Sequence, residues 1–385
     1  MNKAGYKRLG DYIREVNVRN RELKVTNLLG VSISKEFMPS IANTIGTDMS
    51  TYKIVERGQF AYGPVTSRNG DKVSIALLDG YYDAIISQAY TVFEVIDLEQ
   101  LLPEYLMMWF RRPEFDRYAR FHSHGSAREV FDWDELCDVY LPIPSITRQR
   151  EIVSEYETLT NRIRLNNQMI QHLEATAQAL YRKTFVDNID KENLPEGWRV
   201  GTLEDLGEII GGATPSTNNP NLWCDDGISW IFPADLSKKS CKFISKGSKD
   251  ITESGYNSCS TKLLPKGSIL FSSRAPIGLM AITTKELCTN QGFKSIVPKK
   301  GFGLGYVYYY LFSIKDKIAE ENTGSTFDEV SGQTMKEYPA VLPSKQVTDE
   351  FSKLLQPILY NQFIKEQENE KLTELQSLLL AKMGQ

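Results

Sequence analysis

No stretch of this 385-residue sequence approaches the ~20 continuous apolar residues of a membrane-spanning helix, and its first residues, "MNKAGYKRLGDYIREV", lack the apolar core of a secretory signal. A cytoplasmic protein that does not enter a membrane is therefore expected. The five cysteines, Cys137, Cys224, Cys241, Cys259 and Cys288, include no C-x-x-C pair, which argues against a disulfide framework and a cysteine-built zinc site. Histidine is rarer still. His122 and His124 form an H-x-H pair, for which surface or turn chemistry is simpler than metal ligation, and His172 falls in a helical pattern, leaving no histidine for a Ser-His-Asp arrangement. No metal site is expected.

Also missing are a P-loop, an H-E-x-x-H, and a G-x-G-x-x-G opening a helix after a strand; "GFGLG" (301–305) reads as a turn. There is no Asn- or Asp-Pro-Pro-aromatic motif of the kind amino-methyltransferases use to hold a base. A chain of this size without nucleophile, metal box or cofactor loop reads as a binding protein, with no catalytic residue and no cofactor of its own. Positive charge is not in excess either. The net charge is −4, and neither residues 1–146 nor residues 188–342 carry more basic than acidic groups, so any contact with nucleic acid must rest on local charge.

What is present is a duplication. The length exceeds what one core usually supports, and at an offset of 199 the second half falls on the first: Gly125-Ser126 on Gly324-Ser325, Pro144-Ser145 on Pro343-Ser344, Ile152 on Phe351, Leu173 on Leu372 and Leu180 on Leu379. Upstream the register drifts, with "SQAYTVF" (87–93) resembling "NQGFKSI" (290–296), "RGQFAY" (57–62) resembling "KGSILF" (266–271), and "RLGDYIREV" (8–16) opposite "TLEDLGEII" (202–210). The reading is domain (1–146), helix (147–187), domain (188–342), helix (343–385).

After Pro144, residues Ile152, Tyr156, Leu159, Ile163, Asn166, Ile170, Leu173, Ala177 and Leu180 alternate spacings of four and three, the a/d seam of a coiled coil. At 1.5 Å per residue such a helix reaches about 60 Å. Ser145 or Thr147 can cap it, as Ser344 can the second helix. The second seam starts with Phe351, Leu355 and Ile358, is interrupted by Gln362, Lys365 and Asn369, and resumes with Leu372, Leu375, Leu379 and Met383; Pro357 should kink it. Two such helices in one chain most simply pair with each other, antiparallel, with near-twofold symmetry. Each domain reads as α+β with a twisted, mostly antiparallel sheet, from strands such as "KVSIALL" (72–78), "AIISQAYTVFEVI" (84–96), "KGSILF" and "FKSIVP", and helices at "PEYLMMWFRRPEF" (103–115) and "GYVYYYLFSIKDKIAEE" (305–321).

Local polar groups supply the candidate DNA contacts. After a strand, Ser67-Arg68-Asn69-Gly70 with Lys72 makes a hydrogen-bonding loop, and Ser272-Ser273-Arg274 falls in the equivalent place. Arginine can read guanine, while Ser and Asn reach phosphates or adenine edges. "KKSCKFISKGSK" (238–249), beginning with Lys238 and Lys239, holds five lysines and no acid; Arg111, Arg112, Arg117, Arg120 and Arg128 lie close together, and Lys294 follows the repeated glutamine turn. The recurring Gln88 and Gln291 read as base contacts or, more simply, as buried glutamines bonded to a neighbouring loop. The Gly125-Ser126 and Gly324-Ser325 loops precede each proline exit and could hold a phosphate or terminate the domain.

This layout resembles the specificity (S) subunit of type I restriction-modification systems. The Gly-Ser-(Ala/Thr) loops, "NQGFK" (290–294), "LPIPSITRQREI" with its partner "LPSKQVTDEF", and helices ending near "LLLAKM" carry the resemblance, which covers essentially the whole chain. The family more often has a glutamate-glutamine pair early in each helix, where this chain has Arg148-Gln149-Arg150 and Gln346-Val347-Thr348. The resemblance implies two target-recognition domains, each reading one half of a split double-stranded DNA site, and helices that act as a ruler. It implies two modification (methyltransferase) subunits that bring S-adenosylmethionine and methylate adenine, and restriction subunits that cleave with ATP and Mg. A self-contained DNA-modifying enzyme and a coiled-coil protein scaffold are the alternatives.

Overall fold

The computed structural model describes residues 5–40, 46–67, 69–70, 72–125, 129–187, 189–190, 192–239, 241–274, 276–322 and 329–384. The chain forms two compact units, residues 1–163 with 370–385, and residues 164–369. Each unit thus takes half of both long helices, because each half-helix buries its seam in the domain it belongs with.

In the first unit β1 (Tyr6–Arg8) leads through a 3₁₀ turn to β2 (Ile13–Val16). There follow β3 (Leu29–Val31), β4 (Phe37–Pro39), β5 (Lys53–Glu56), β6 (Phe60–Gly63), β7 (Ser74–Leu77), β8 (Asp83–Ile86) and β9 (Thr91–Val95). Helices α1 (Pro103–Phe110), α2 (Pro113–Phe121) and α3 (Trp133–Cys137) precede β10 (Tyr140–Pro142) and α4 (Ile146–Phe185). The central sheet, β2-β9-β6-β7, is antiparallel. Its side chains alternate as a half-turn repeat requires. Ile13, Phe60, Tyr62, Ile75, Phe93 and Val95 pack on α1, while Ala61, Ala76 and Val92 face the two-stranded β3-β4 and β5-β8 sheets.

Two spans read as single elements are broken. "AIISQAYTVFEVI" divides into β8 and β9, which pair in different sheets around a turn at 87–90. The helix at 103–115 divides before Pro113, which lacks a backbone N–H and opens α2 instead.

The second unit repeats this plan. β11 (Arg199–Thr202), α5 (Leu203–Leu206) and β12 (Gly207–Gly211) lead to an inserted region of β13 (Trp223–Cys224), β14 (Ile228–Ile231), α6 (Pro233–Lys239), β15 (Phe243–Ile244), β16 (Lys249–Ile251) and α7 (Glu253–Asn257). Then come β17 (Ile269–Phe271), β18 (Met280–Thr283), β19 (Cys288–Thr289), β20 (Lys294–Pro298), α8 (Leu304–Glu321), α9 (Gly332–Glu337), β21 (Pro339–Leu342) and α10 (Lys345–Lys382). The sheet order β12-β20-β17-β18 reproduces β2-β9-β6-β7, with β15 added in parallel at the edge. Gly58 and Gly267, at φ +88° and +85°, turn the chain into β6 and β17.

Each long helix starts from an equivalent two-stranded clasp, β1-β10 or β11-β21. Tyr105 donates to the Pro142 carbonyl at 3.1 Å, and Tyr306 to the Val341 carbonyl at 2.6 Å. Ser145 accepts the Arg148 N–H at 3.4 Å and so caps α4. The residues that fix each helix start are Gln149 and Thr348. Fully buried Gln149 accepts the Leu102 N–H at 2.9 Å and donates to the Gln100 and Pro144 carbonyls; Thr348 donates to the Gly301 carbonyl at 2.8 Å. Gln149→Ala would strand these buried groups, and a loss of about 2 kcal/mol in urea unfolding is expected.

Within each unit the helices run antiparallel. In the first, Val153, Tyr156, Leu380 and Met383 are buried in the domain core, with Ile152 and Leu379 against it; in the second, Ala177, Tyr181, Phe185, Phe351 and Leu355 are buried, with Leu180 and Ile358 beside them. Leu159, Ile163, Ile170, Leu173 and Leu372 are half-buried. The polar interruptions are matched: Asn166, buried, donates to Asn369 at 2.9 Å, and buried Gln362 donates to Glu174 at 2.9 Å. Leu375 departs from the expected seam. It is half exposed, and Gln376 reaches Thr160 at 2.7 Å instead. α10 continues through Pro357 as one helix.

Candidate nucleic-acid interface

In each unit three segments meet at one end of the central sheet. In the first, the loop after β6 is stitched to the segment before α3: the Phe131 N–H bonds the Pro64 carbonyl at 2.9 Å, the Thr66 N–H the Glu129 carbonyl at 3.0 Å, and the Thr66 hydroxyl Ser123 at 3.0 Å. In the second, the Val330 N–H bonds the Ser273 carbonyl at 2.8 Å, and Arg274 bridges Glu329 as Val65 bridges Val130. The loops do occupy equivalent places. Their register matches Arg274 to Val65, not to Arg68.

The third segment is the turn before β9 or β20. The Tyr90 N–H bonds the Ser87 carbonyl at 3.0 Å and the Phe293 N–H the Asn290 carbonyl at 3.3 Å. The Ser87 hydroxyl accepts the Ala89 N–H at 3.4 Å, and the Asn290 side chain accepts the Gly292 N–H at 2.9 Å. Both turns present a glutamine at the same corner. Gln88 and Gln291 are exposed, which overturns the expectation that they are buried, although Gln291 does bond a neighbouring loop through Thr214; the turn is closed by its own Ser or Asn and does not need the glutamine.

A loop that the sequence reading passed over completes the second site. At Gly212 a Cβ would collide with the Thr289 and Asn290 carbonyls, so only glycine permits this close approach. The Trp230 and Trp223 indoles donate to the Ala213 and Ser216 carbonyls at 3.0 and 3.1 Å, and the Thr214 hydroxyl bonds Gln291. The run "GGATPS" directly after β12 was the signal available.

The candidate cations divide. Lys294 lies 3.5 Å from Ser273 and from the Gln291 carbonyl, and both it and Arg274 pair with Glu329, at 3.4 and 2.9 Å. The Arg274 hydrogen bond, outweighing partial burial and aided by the charges of Arg274 and Lys294, holds the Glu329 carboxyl below its usual range. Lys72 and Lys238 are exposed. Asn69 donates within its own loop, to the Val65 carbonyl at 3.3 Å and to Ser74 at 3.2 Å. Gly125 adopts φ +128°. Arg68, Arg128, Ser126, Gly324, Ser325 and the Lys239 side chain lie outside the described residues.

The lysine run 238–249 is not one basic face. Lys242 turns inward onto Glu174 and Tyr309, Lys246 pairs with Asp250 at 3.0 Å, and Lys249 lies over Trp223. The arginine cluster also divides, with Arg111 over Tyr156 and Arg112 buried over Trp109. His122 and His124 both face Glu135, at 2.9 and 3.7 Å; among the described residues no group of three His, Cys, Asp or Glu is placed to hold a metal ion. No helix among the described residues is long and apolar enough to cross a membrane.

The chain matches the type I restriction modification DNA specificity domain family twice, over residues 35–175 and 195–374. It is 41% identical over 169 residues to the type I restriction enzyme MjaIX specificity subunit of Methanocaldococcus jannaschii, a match that spans 43% of this chain and 39% of that relative. It is 24% identical to the HindI specificity subunit of Haemophilus influenzae over 97% of both chains. A crystal structure of the type I restriction-modification S subunit from M. genitalium shares the fold, with a TM-score of 0.61 at 12% identity over 100% of this chain and 98% of that one. With two family matches that together take in most of its length, the chain belongs to the specificity subunits of type I restriction-modification systems.

Proposed function

We propose that this chain is the DNA-reading subunit of a modification complex. Each domain reads one half of a bipartite double-stranded site, while α4 and α10 set the gap and dock two modification subunits. The observation that carries the reading is the recurrence, in both units and in the same register, of three segments that meet at one end of the sheet and present an exposed glutamine there. Methyl transfer to adenine and S-adenosylmethionine belong in this reading to the partners, as do ATP, Mg and cleavage where restriction subunits join. The complex would act on DNA in the cytoplasm. Exposed Leu354, Tyr360 and Ile364 on α10 give the helix pair an apolar surface suited to a protein partner.

Methylome sequencing of a host expressing the chain with its modification subunit tests the proposal. A single bipartite motif is expected; methyl transfer by the purified chain alone would contradict it. Lys294→Ala should weaken duplex binding by the complex across all sequences and lower the slope of log affinity against log salt by about one, as loss of a phosphate contact does.

A further inference from the structure

The two domains differ in most of what they present to solvent, yet both hold a glutamine at the same corner of the same turn. The turn itself has no structural need of the glutamine: its hydrogen bonds come from Ser87 and Asn290 and from the backbone. Among the described residues the Gln88 side chain has no hydrogen-bond partner, and Gln291 is bonded only by the Thr214 hydroxyl. Because a hydroxyl proton can be given only to the amide oxygen, this bond aims the Gln291 NH₂ group outward, where Lys294 stands beside it. In the first unit the strand residue corresponding to Lys294 is Thr91, so the cation is not repeated and the amide is.

Two half-sites of different sequence share their sugar-phosphate backbone but not their base edges. A side chain presented at the same position of the same turn by both readers fits the shared part. Resting on the reading of the chain as a DNA-binding subunit, we propose that Gln88 and Gln291 are backbone contacts, each donating amide N–H bonds to a phosphodiester oxygen at equivalent positions of the two half-sites. They position each domain and do not discriminate bases.

The test uses the full chain in complex with its modification subunit, and fluorescent duplexes carrying either the methylated motif or an unrelated sequence. Gln88→Ala and Gln291→Ala should each weaken binding to both duplexes by the same factor, about tenfold for a hydrogen bond to a charged acceptor. The methylated motif should stay unchanged, as should the salt slope, since a neutral amide releases no counterion; Lys294→Ala provides the contrasting slope. Unchanged thermal unfolding confirms that the turn stands without the side chain. A relaxed or altered motif in either variant would make the glutamine a base reader, and wild-type affinity in the double variant would remove it from the interface; either result overturns the proposal. A wild-type complex with no salt-sensitive duplex binding would overturn the DNA-reading assignment itself, an outcome separate from both.

Discussion

Exchanging residues 1–146 for the corresponding domain of another family member is expected to change one half of the methylated motif and leave the other half and the gap as they were. The expectation follows from how each reading end is built. The loop after β6 and the segment before α3 bond to each other, and the turn before β9 leads into the strand paired with β6, so the described part of this end is held together within the first unit. The exchange must respect the clasp. β1 pairs with β10, and Gln149 reaches back from α4 to Gln100 and Leu102, so a junction at 146 keeps the strand pair in one piece but asks the incoming domain to offer equivalent backbone groups to Gln149. Sequencing the methylated sites of a host carrying the chimera gives the answer directly. A change in both halves, or in neither, would contradict the two-reader arrangement.

Glu174→Ala is expected to produce the largest loss of stability among single side-chain changes to the helix pair. The Glu174 carboxylate pairs with the Lys242 ammonium, accepts from Gln178 and Gln362 at 2.9 Å and from the Tyr309 hydroxyl at 3.1 Å. Lys242 is 9% exposed and also meets Tyr309 at 2.7 Å and Gln362 at 3.1 Å, with the Tyr308 and Tyr309 rings about it. One carboxylate thereby joins α4, α8, α10 and the strand that begins at Phe243. Removing it leaves a buried ammonium without its counter-charge, a defect of about 3 kcal/mol, read as a lower urea midpoint at unchanged slope. Lys242→Met combined with Glu174→Leu should recover much of the loss, since neither charge then remains to be desolvated.

The same cluster sets an acid dependence. Burial raises the Glu174 carboxyl, but the Lys242 charge and the bonds from Gln178, Lys242 and Gln362 outweigh it and hold the group below its ordinary 4.5. Its stabilising contribution is therefore present above about pH 4.5 and is lost as pH falls through the lower folded value. Glu366, which accepts the Lys242 and Phe243 N–H groups at 2.9 and 3.1 Å, is raised by burial and has the opposite sign, since it takes up a proton more readily when folded. Glu174→Ala should accordingly flatten the acid limb of a stability profile.

The duplication, the two helices, their seams and the proline exits were legible in the sequence because each is a matter of local periodicity or of a residue with restricted backbone, and such signals survive without knowledge of neighbours. Gln362 and Asn369 looked like gaps in a seam. Only the antiparallel register, which sets Asn369 against Asn166 and Gln362 against Glu174, makes them matched partners. Lys242 looked like part of a basic face, yet its side chain turns inward onto Glu174 and Tyr309, because a charge run carries no information about which way each side chain turns. The reading ends were the least legible. They are assembled from segments more than twenty residues apart, such as Gly212 against Asn290 and Ser273 against Val330, and no periodicity links them. The sequence by itself determined that this chain is two copies of one domain-and-helix plan; the tertiary structure decided which polar groups of each copy close on themselves and which, like Gln88 and Gln291, are left facing solvent, since that depends on contacts made across the fold.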